Sequence, residues 1–204
     1  MGEDGARFTC GVCMEKPDSL EWARAEVSAS SVGGAPFLLA FGSTLFATGV
    51  ASYSVPVRTA ALIALFQGSV ALPAAFWLER RMGAGPMSGR NPLRALSIQL
   101  AMSQIVALPA VIIAFSIEPR LVPATLAAIA GGHFLPYAWL QRTRVYTILA
   151  VAISIGAFAI QVALRSAAFP WILFYMSASY WIAAPLVQRN AKQLSHAAAV
   201  MPGS

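Results

Sequence analysis

The sequence predicts an all-α protein that crosses a membrane six times, with both termini in the cytoplasm. Three observations lead to this prediction. Hydrophobic residues make up 58% of the 204 residues, and charged residues make up only 11%. A soluble domain carries about a quarter charged residues, so this composition would leave most of a soluble surface uncovered. The basic residues lie in short gaps between apolar runs, as in membrane proteins. The net charge of +6 therefore does not indicate a nucleic-acid partner, and we expect none.

Residues 1–17 are predicted to be a flexible cytoplasmic tail. They mix both charge signs and lack the apolar core of a signal peptide. The only two cysteines, Cys10 and Cys13, form a CxxC pair within this tail. A structural zinc site needs four ligands, and no second CxxC exists. An unstructured tail, a metal ligand pair and a thiol switch stay open as alternatives, and no cofactor or metal site is predicted.

Residues 18–31 are predicted to form an amphipathic helix that leads into the first span. Asp18 and Glu21 have the spacing of a capping box. Leu20, Ala23 and Val27 recur on one face of the helix. This helix either lies on the membrane surface or packs on the helix bundle.

Residues 32–190 are predicted to form the membrane domain. Six runs without Asp, Glu, Lys or Arg have about the 17–25 residues that a spanning helix requires. A chain in lipid must satisfy its backbone hydrogen bonds internally, so we expect these runs to be helices. The predicted spans are residues 36–53, 59–78, 96–115, 121–140, 145–164 and 170–187.

The basic residues predict the orientation. Eleven of them lie on the side that holds both termini, and only Arg58, Arg120 and Arg165 lie on the opposite side. The positive-inside rule then places both termini, including the tail of residues 191–204, in the cytoplasm. We expect the membrane to be a bacterial inner membrane.

The stretch GGHFLPYAWLQRTR at residues 131–144 is the most unusual part of the predicted membrane domain. His133, Tyr137, Leu140 and Arg144 recur at helical spacing, so we expect them to share one face. His133 lies seven residues, or about 10 Å of helix, inside the cytoplasmic boundary. A stripe of this kind would run from the bilayer interior to the cytosol.

Two interpretations of this stretch are open. Gly131 and Gly132 would let a neighbouring helix approach closely, and Pro136 leaves the carbonyl of Gly132 without its helical donor. A functional site would bind an anionic group or relay protons through His133. In the alternative, His133 only hydrogen-bonds another helix and the arginines only fix the topology. We expect His133 to face an internal cavity that is open to the cytoplasm, with Tyr137 beside it.

Other long polar side chains within the spans are candidate partners. We place Gln67 and Gln104 with His133, Tyr137 and Arg144 in a polar intramembrane site. No carboxylate lies in any predicted span, and no nucleophile motif occurs. No catalytic residue is therefore predicted, and the sequence favours a protein that is not an enzyme.

Three motifs resemble those of a known family: GGAPFLL at 33–39, NPLRAL at 91–96 and GGHFLPYAWLQRTRVY at 131–146. In this order they resemble a family of small bacterial multi-pass membrane proteins that is classed as a domain of unknown function. The resemblance covers residues 18–160 approximately. It implies a six-helix membrane protein and no known activity.

Two functions are compatible with these observations. The protein is predicted either to transport an unidentified small solute or to be a non-transporting scaffold or accessory subunit. A cavity lined by His133, Gln67 and Gln104 would favour transport, and a solid core with a groove of small residues facing lipid would favour a scaffold. The lipid bilayer is the predicted partner, a small-molecule ligand belongs to the first alternative, and the sequence does not indicate an oligomeric state.

Overall fold

The computed structural model describes residues 20–83 and 85–200, with side chains as far as residue 194. Among these residues the chain is helical and contains no strand. The prediction of an all-α fold is therefore confirmed. Cys10, Cys13 and Asp18 lie outside the described residues.

The described residues form eight α-helices and three short 3-10 helices. The 3-10 helices are Val32–Gly34, Pro119–Leu121 and Arg165–Ala167. The α-helices are α1 Leu20–Ser30, α2 Ala35–Ala51, α3 Val57–Phe66, α4 Gly68–Met82, α5 Arg94–Ile117, α6 Val122–Leu140, α7 Val145–Leu164 and α8 Ala168–Val200.

Five helical segments of the described residues are long and apolar enough to cross a membrane. The last of them is 50 residues long and contains α7 and most of α8, which are joined by the Arg165–Ala167 3-10 turn. The segments are Val32–Ala51, Val57–Met82, Arg94–Ile117, Pro119–Leu140 and Val145–Leu194.

The second predicted span, 59–78, lies within the segment Val57–Met82, which is divided at Gln67 into α3 and α4. α3 ends at Phe66, and α4 begins at Gly68. Two local features favour a bend near this point. The Ser69 hydroxyl donates to the Phe66 carbonyl at 2.7 Å, and Pro73 cannot donate to the carbonyl of Ser69. A Gly–Ser pair followed by a proline is a common setting for a helix kink.

α8 forms the centre of the bundle, with α2 on one side and α7 on the other. α4 packs on the outside of α2, α6 packs on α7, and α5 packs on α6. The α2–α8 contact is close because Gly42 has no side chain, and the Ser177 hydroxyl donates to its carbonyl at 2.7 Å. Ile172 and Leu173 of α8 are fully buried in the core that these helices share.

α1 packs against α8 and the 3-10 turn that follows it. Ala23 and Val27 are buried there, whereas Leu20 is 51% exposed. The chain then turns through Gly33 and Gly34, whose φ angles of 65° and 85° favour glycine. The Tyr146 hydroxyl donates to the Gly33 carbonyl at 2.6 Å and so fixes this turn to α7. We call the end of the bundle that carries α1 the α1 end, and the opposite end the far end.

Candidate functional site

His133 of α6 contacts Ser103 of α5. The His133 Nδ1 lies 3.0 Å from the Ser103 hydroxyl oxygen. That hydroxyl donates its one proton to the Leu100 carbonyl at 2.7 Å. Nδ1 is therefore assigned as the protonated nitrogen that donates to Ser103, and Nε2 is left as an acceptor. This hydrogen bond joins α6 to α5.

Tyr137 lies beside His133, one helical turn closer to the α1 end. The two ring centroids are 5.0 Å apart, and Tyr137 in turn lies 5.9 Å from the ring of Tyr146. His133 and Tyr137 are both partly exposed. That this pair lines a cavity open to the cytoplasm stays a prediction.

The helix that carries His133 does not continue to Arg144, so the prediction that Arg144 shares its face is wrong. α6 ends at Leu140, and α7 begins at Val145. The Thr143 N–H donates to the Ala138 carbonyl, and the Arg142 N–H donates to the Trp139 carbonyl. These two bonds form a Schellman ending, with Arg142 in the left-handed position at φ 51°.

Arg144 therefore lies beyond this turn, at the N-cap position of α7, where its side chain is exposed. Leu140, also placed on the stripe, is fully buried in a small cluster with Ala23, Val27 and Leu93. Only His133 and Tyr137 remain of the four-residue stripe as a polar pair.

Gly131 and Gly132 have different surroundings, although we expected both to face a neighbouring helix. A Cβ on Gly131 would lie 2.8 Å from the Ala150 carbonyl oxygen and would overlap the Ser154 hydroxyl. A Cβ on Gly132 would meet no atom within 4 Å. Gly131 alone permits the close packing of α6 on α7.

Among the described residues, no hydrogen bond joins Gln67 or Gln104 to His133. Gln67 lies at the break between α3 and α4, and its side-chain carbonyl accepts from the Thr44 hydroxyl of α2 at 3.0 Å. Gln104 is half-buried and lies two helical turns before Val111, the one buried residue of α5. Only Gln67 has a hydrogen bond to another helix among the described residues.

The α1 end has a polar cluster that the sequence did not indicate, with Gln141 at its centre. The Gln141 side chain is 2% exposed, and its Nε2 donates to the Ser31 hydroxyl at 3.1 Å. Its backbone carbonyl accepts from the side-chain amide of Asn190 at 3.2 Å. These bonds join α1, α6 and α8. The Gln141 Oε1 is buried and has no hydrogen-bond partner among the described residues.

Asn91 links the loop before α5 to α1 at the same end. Its side-chain amide donates to the Ala23 carbonyl at 2.9 Å and to the Glu26 carboxylate at 2.6 Å. Its Oδ1 accepts from the Leu93 N–H at 2.8 Å, which forms an Asx-turn just before α5. Asn91 is 4% exposed, so each of its polar atoms requires such a partner.

A family described as "Family of unknown function (DUF7010)" matches residues 20–190. The chain belongs to this family. Its match begins at Leu20, the first residue of α1, and ends at Asn190, the partner of Gln141. The family therefore includes the complete α1-end cluster and excludes the segment with Cys10 and Cys13.

The resemblance to a family of unknown function is thereby confirmed, over a longer range than the sequence motifs indicated. Neither a curated protein nor a solved structure matches the chain.

Proposed function

We propose that the protein spans a bacterial inner membrane six times, with both termini in the cytoplasm, and lets a small solute pass through an opening between α4 and α5. α7 has 20 residues and α8 has 33, so each is long enough to cross a bilayer alone. Counting both helices makes six spans and puts the two termini on one side. The eleven-to-three distribution of basic residues supports the cytoplasm as that side.

One observation carries the proposal of an opening. α3 contacts α5, α6 and the Pro119–Leu121 turn at the far end, where the Arg58 guanidinium lies 5.0 Å from the Phe115 ring. α4, which continues from α3 beyond Gln67, packs on α2 and has no comparable contact with α5 or α6. The helices are thus closed together at the far end and separated towards the α1 end. This arrangement supports a path that is open to one side.

The polar side chains of the proposed path lie well inside the predicted spans. His133 is about 10 Å of helix from the end of α6, and Ser103 is about 14 Å from the start of α5. Gln67 is about 17 Å from Leu78, the last residue of α4 before the charged Glu79. Ser103 is exposed, and His133 and Gln67 are partly exposed. Polar groups at these depths are costly next to lipid, and they are suited to water or a polar solute.

Accessibility of a cysteine on α5 tests the proposal. In a background with Cys10 and Cys13 changed to serine, we expect Gln104→Cys to react with a charged, membrane-impermeant methanethiosulfonate in inside-out vesicles. It should be protected in intact cells, because the far end is closed. Val106→Cys is the matched control: it lies at nearly the same depth on the opposite face, 80% exposed, and should be protected from both sides.

A scaffold or accessory subunit is the second candidate, and one observation favours it. Val111 is the one buried residue of α5, and most other side chains of this helix are exposed and apolar. A second membrane helix could cover that surface. Protection of Gln104→Cys from both sides would refute the transport proposal. Disulfide cross-linking of Val106→Cys between two copies would then support the scaffold.

A further inference from the structure

Two arginines lie close together at the α1 end, outside the proposed path. Arg24 projects from α1, and Arg142 projects from the turn between α6 and α7. Both bind the Trp139 carbonyl, Arg24 through Nη2 and Arg142 through its backbone N–H. Burial lowers the pKa of the Arg24 guanidinium, and the positive charge of Arg142 lowers it further. The Glu21 carboxylate opposes this effect and raises the pKa of Arg24.

Arg24 is held in position by α6 but is not fully hydrogen-bonded. Its guanidinium lies over the Trp139 ring, 4.6 Å from the centroid, and its Nη2 donates to the Trp139 carbonyl. Its Nε is buried and has no hydrogen-bond partner among the described residues. A buried guanidinium N–H without an acceptor is unfavourable, so the contacts within the described residues leave the hydrogen-bonding capacity of Arg24 incompletely satisfied.

Arg142 is fixed by its backbone and only loosely paired by its side chain. It occupies the left-handed position of the Schellman ending at φ 51°. Its nearest carboxylate oxygen, on Glu21, is 3.7 Å from Nη2, whereas a charge-assisted hydrogen bond is about 2.7–2.9 Å long. Glu21 is largely exposed, so this ion pair is weak. Two guanidinium groups thus share one distant carboxylate.

The surface next to these arginines is apolar. Trp139 is 48% exposed, and Leu135, one turn away along α6, is 51% exposed. A tryptophan flanked by arginines is typical of the level at which phosphate headgroups meet the acyl chains. Basic residues at this level recognise anionic headgroups.

We propose that Arg24 and Arg142 together bind a phosphate group, carried either by an anionic lipid headgroup or by a soluble phosphate. The phosphate oxygens accept from the outer N–H groups of the Arg24 guanidinium and from the guanidinium of Arg142. Guanidinium groups suit this role because their planar donors match the spacing of phosphate oxygens. In the lipid case, the acyl chains lie along Leu135 and Trp139. Glu21 competes with the phosphate for Arg142.

Thermal unfolding of the purified full-length protein in a non-ionic detergent tests this site. The probes are dihexanoyl-phosphatidylglycerol, dihexanoyl-phosphatidylcholine and sodium phosphate, each at equal ionic strength. We expect phosphatidylglycerol to raise the Tm. Phosphatidylcholine should not, because its own ammonium group neutralises its phosphate. A rise with phosphatidylglycerol alone supports a lipid headgroup, and an equal rise with sodium phosphate supports a soluble phosphate.

Arginine variants with matched controls test which residues bind the phosphate, through the half-saturating concentration of the anionic probe. Arg24→Gln and Arg142→Gln should each raise the half-saturating concentration about tenfold or more, since each removes charge-assisted hydrogen bonds. Arg81→Gln and Arg144→Gln should leave it unchanged. Arg81 also stacks on an exposed tryptophan, Trp77, at 4.3 Å, and Arg144 lies two residues from Arg142.

If the proposal is correct, Glu21→Gln should strengthen phosphate binding, whereas the two arginine variants should weaken it. Removing the competing carboxylate should lower the half-saturating concentration, whereas a purely structural ion pair would leave it unchanged. If Arg24→Gln does not fold, Arg142→Gln and Glu21→Gln decide. The proposal is overturned if neither anionic probe raises the Tm, or if Arg142→Gln responds as the wild-type protein does.

Discussion

Two adjacent glycines of α6 should respond in opposite ways to the same substitution. Gly131→Ala places a methyl group 2.8 Å from the Ala150 carbonyl oxygen and onto the Ser154 hydroxyl, so α6 and α7 must separate. Gly132→Ala places the same group where no atom lies within 4 Å. Both positions are inside a helix, so each substitution gains the same stability, about 0.5–1 kcal/mol, by replacing a helical glycine.

The difference between the two variants isolates the cost of overpacking. Forcing an extra methyl group into a packed interface typically costs about 1–3 kcal/mol. For a chain of this size, that difference corresponds to about 2–12 °C in Tm. We expect Gly132→Ala to be slightly more stable than the wild-type protein, and Gly131→Ala to unfold at a clearly lower temperature.

The assay is thermal unfolding in one detergent, followed by tryptophan fluorescence. Ser154→Ala in the Gly131→Ala background should restore part of the stability, because it removes one of the two overlapping atoms and leaves the Ala150 carbonyl. If Gly131→Ala is as stable as Gly132→Ala, then α6 and α7 are not packed through Gly131, and the reasoning fails.

Three further predictions address the topology, the turn before α2 and the N-terminal tail. Reporters fused at six positions should alternate between the two sides of the membrane: Ser54, Gly89, Glu118, Thr143, Ser166 and Ser204. A periplasmic signal at Gly89 or Ser204 would contradict the topology. Tyr146→Phe should lower the free energy of unfolding by about 1–3 kcal/mol, because it leaves the buried Gly33 carbonyl without its donor; an unchanged urea or thermal midpoint would argue against that bond. Deleting residues 1–17 should change the Tm by only a few degrees, since this segment has few apolar residues, and loss of bound zinc with the deletion would contradict this expectation.

The positions of most helices could be predicted because the cost of placing a charge in lipid is local to each residue. The run 145–164 coincides with α7, and the run 121–140 differs from α6 by one residue. The same criterion underestimates α8, which continues to Val200 although the apolar run ends at residue 187. Charged residues stop a helix from being buried in lipid, but they do not stop the helix itself.

The His133–Tyr137 contact could be predicted because both residues lie on one helix, four residues apart. The Ser103 partner could not, since it depends on how α5 packs against α6, and serines are frequent in such helices. Arg144 was misplaced because helical spacing was continued through the end of α6. The usual signal for that end is a glycine or asparagine in the left-handed position, and here the position holds Arg142.

The presence of arginine at a position where glycine is usual connects the fold to the proposed phosphate site. A left-handed backbone costs a residue with a side chain about 1–2 kcal/mol, and glycine would adopt the same φ without this cost. The Schellman turn directs Gln141 into the contact between α1, α6 and α8, where its amide is buried. The next residue then emerges beside Arg24, on the surface that carries Trp139. Glycine at this position would preserve the Gln141 contacts and would supply no guanidinium. The unfavourable backbone conformation of Arg142 therefore places a second guanidinium next to Arg24. Two adjacent guanidinium groups are what the proposed phosphate site requires.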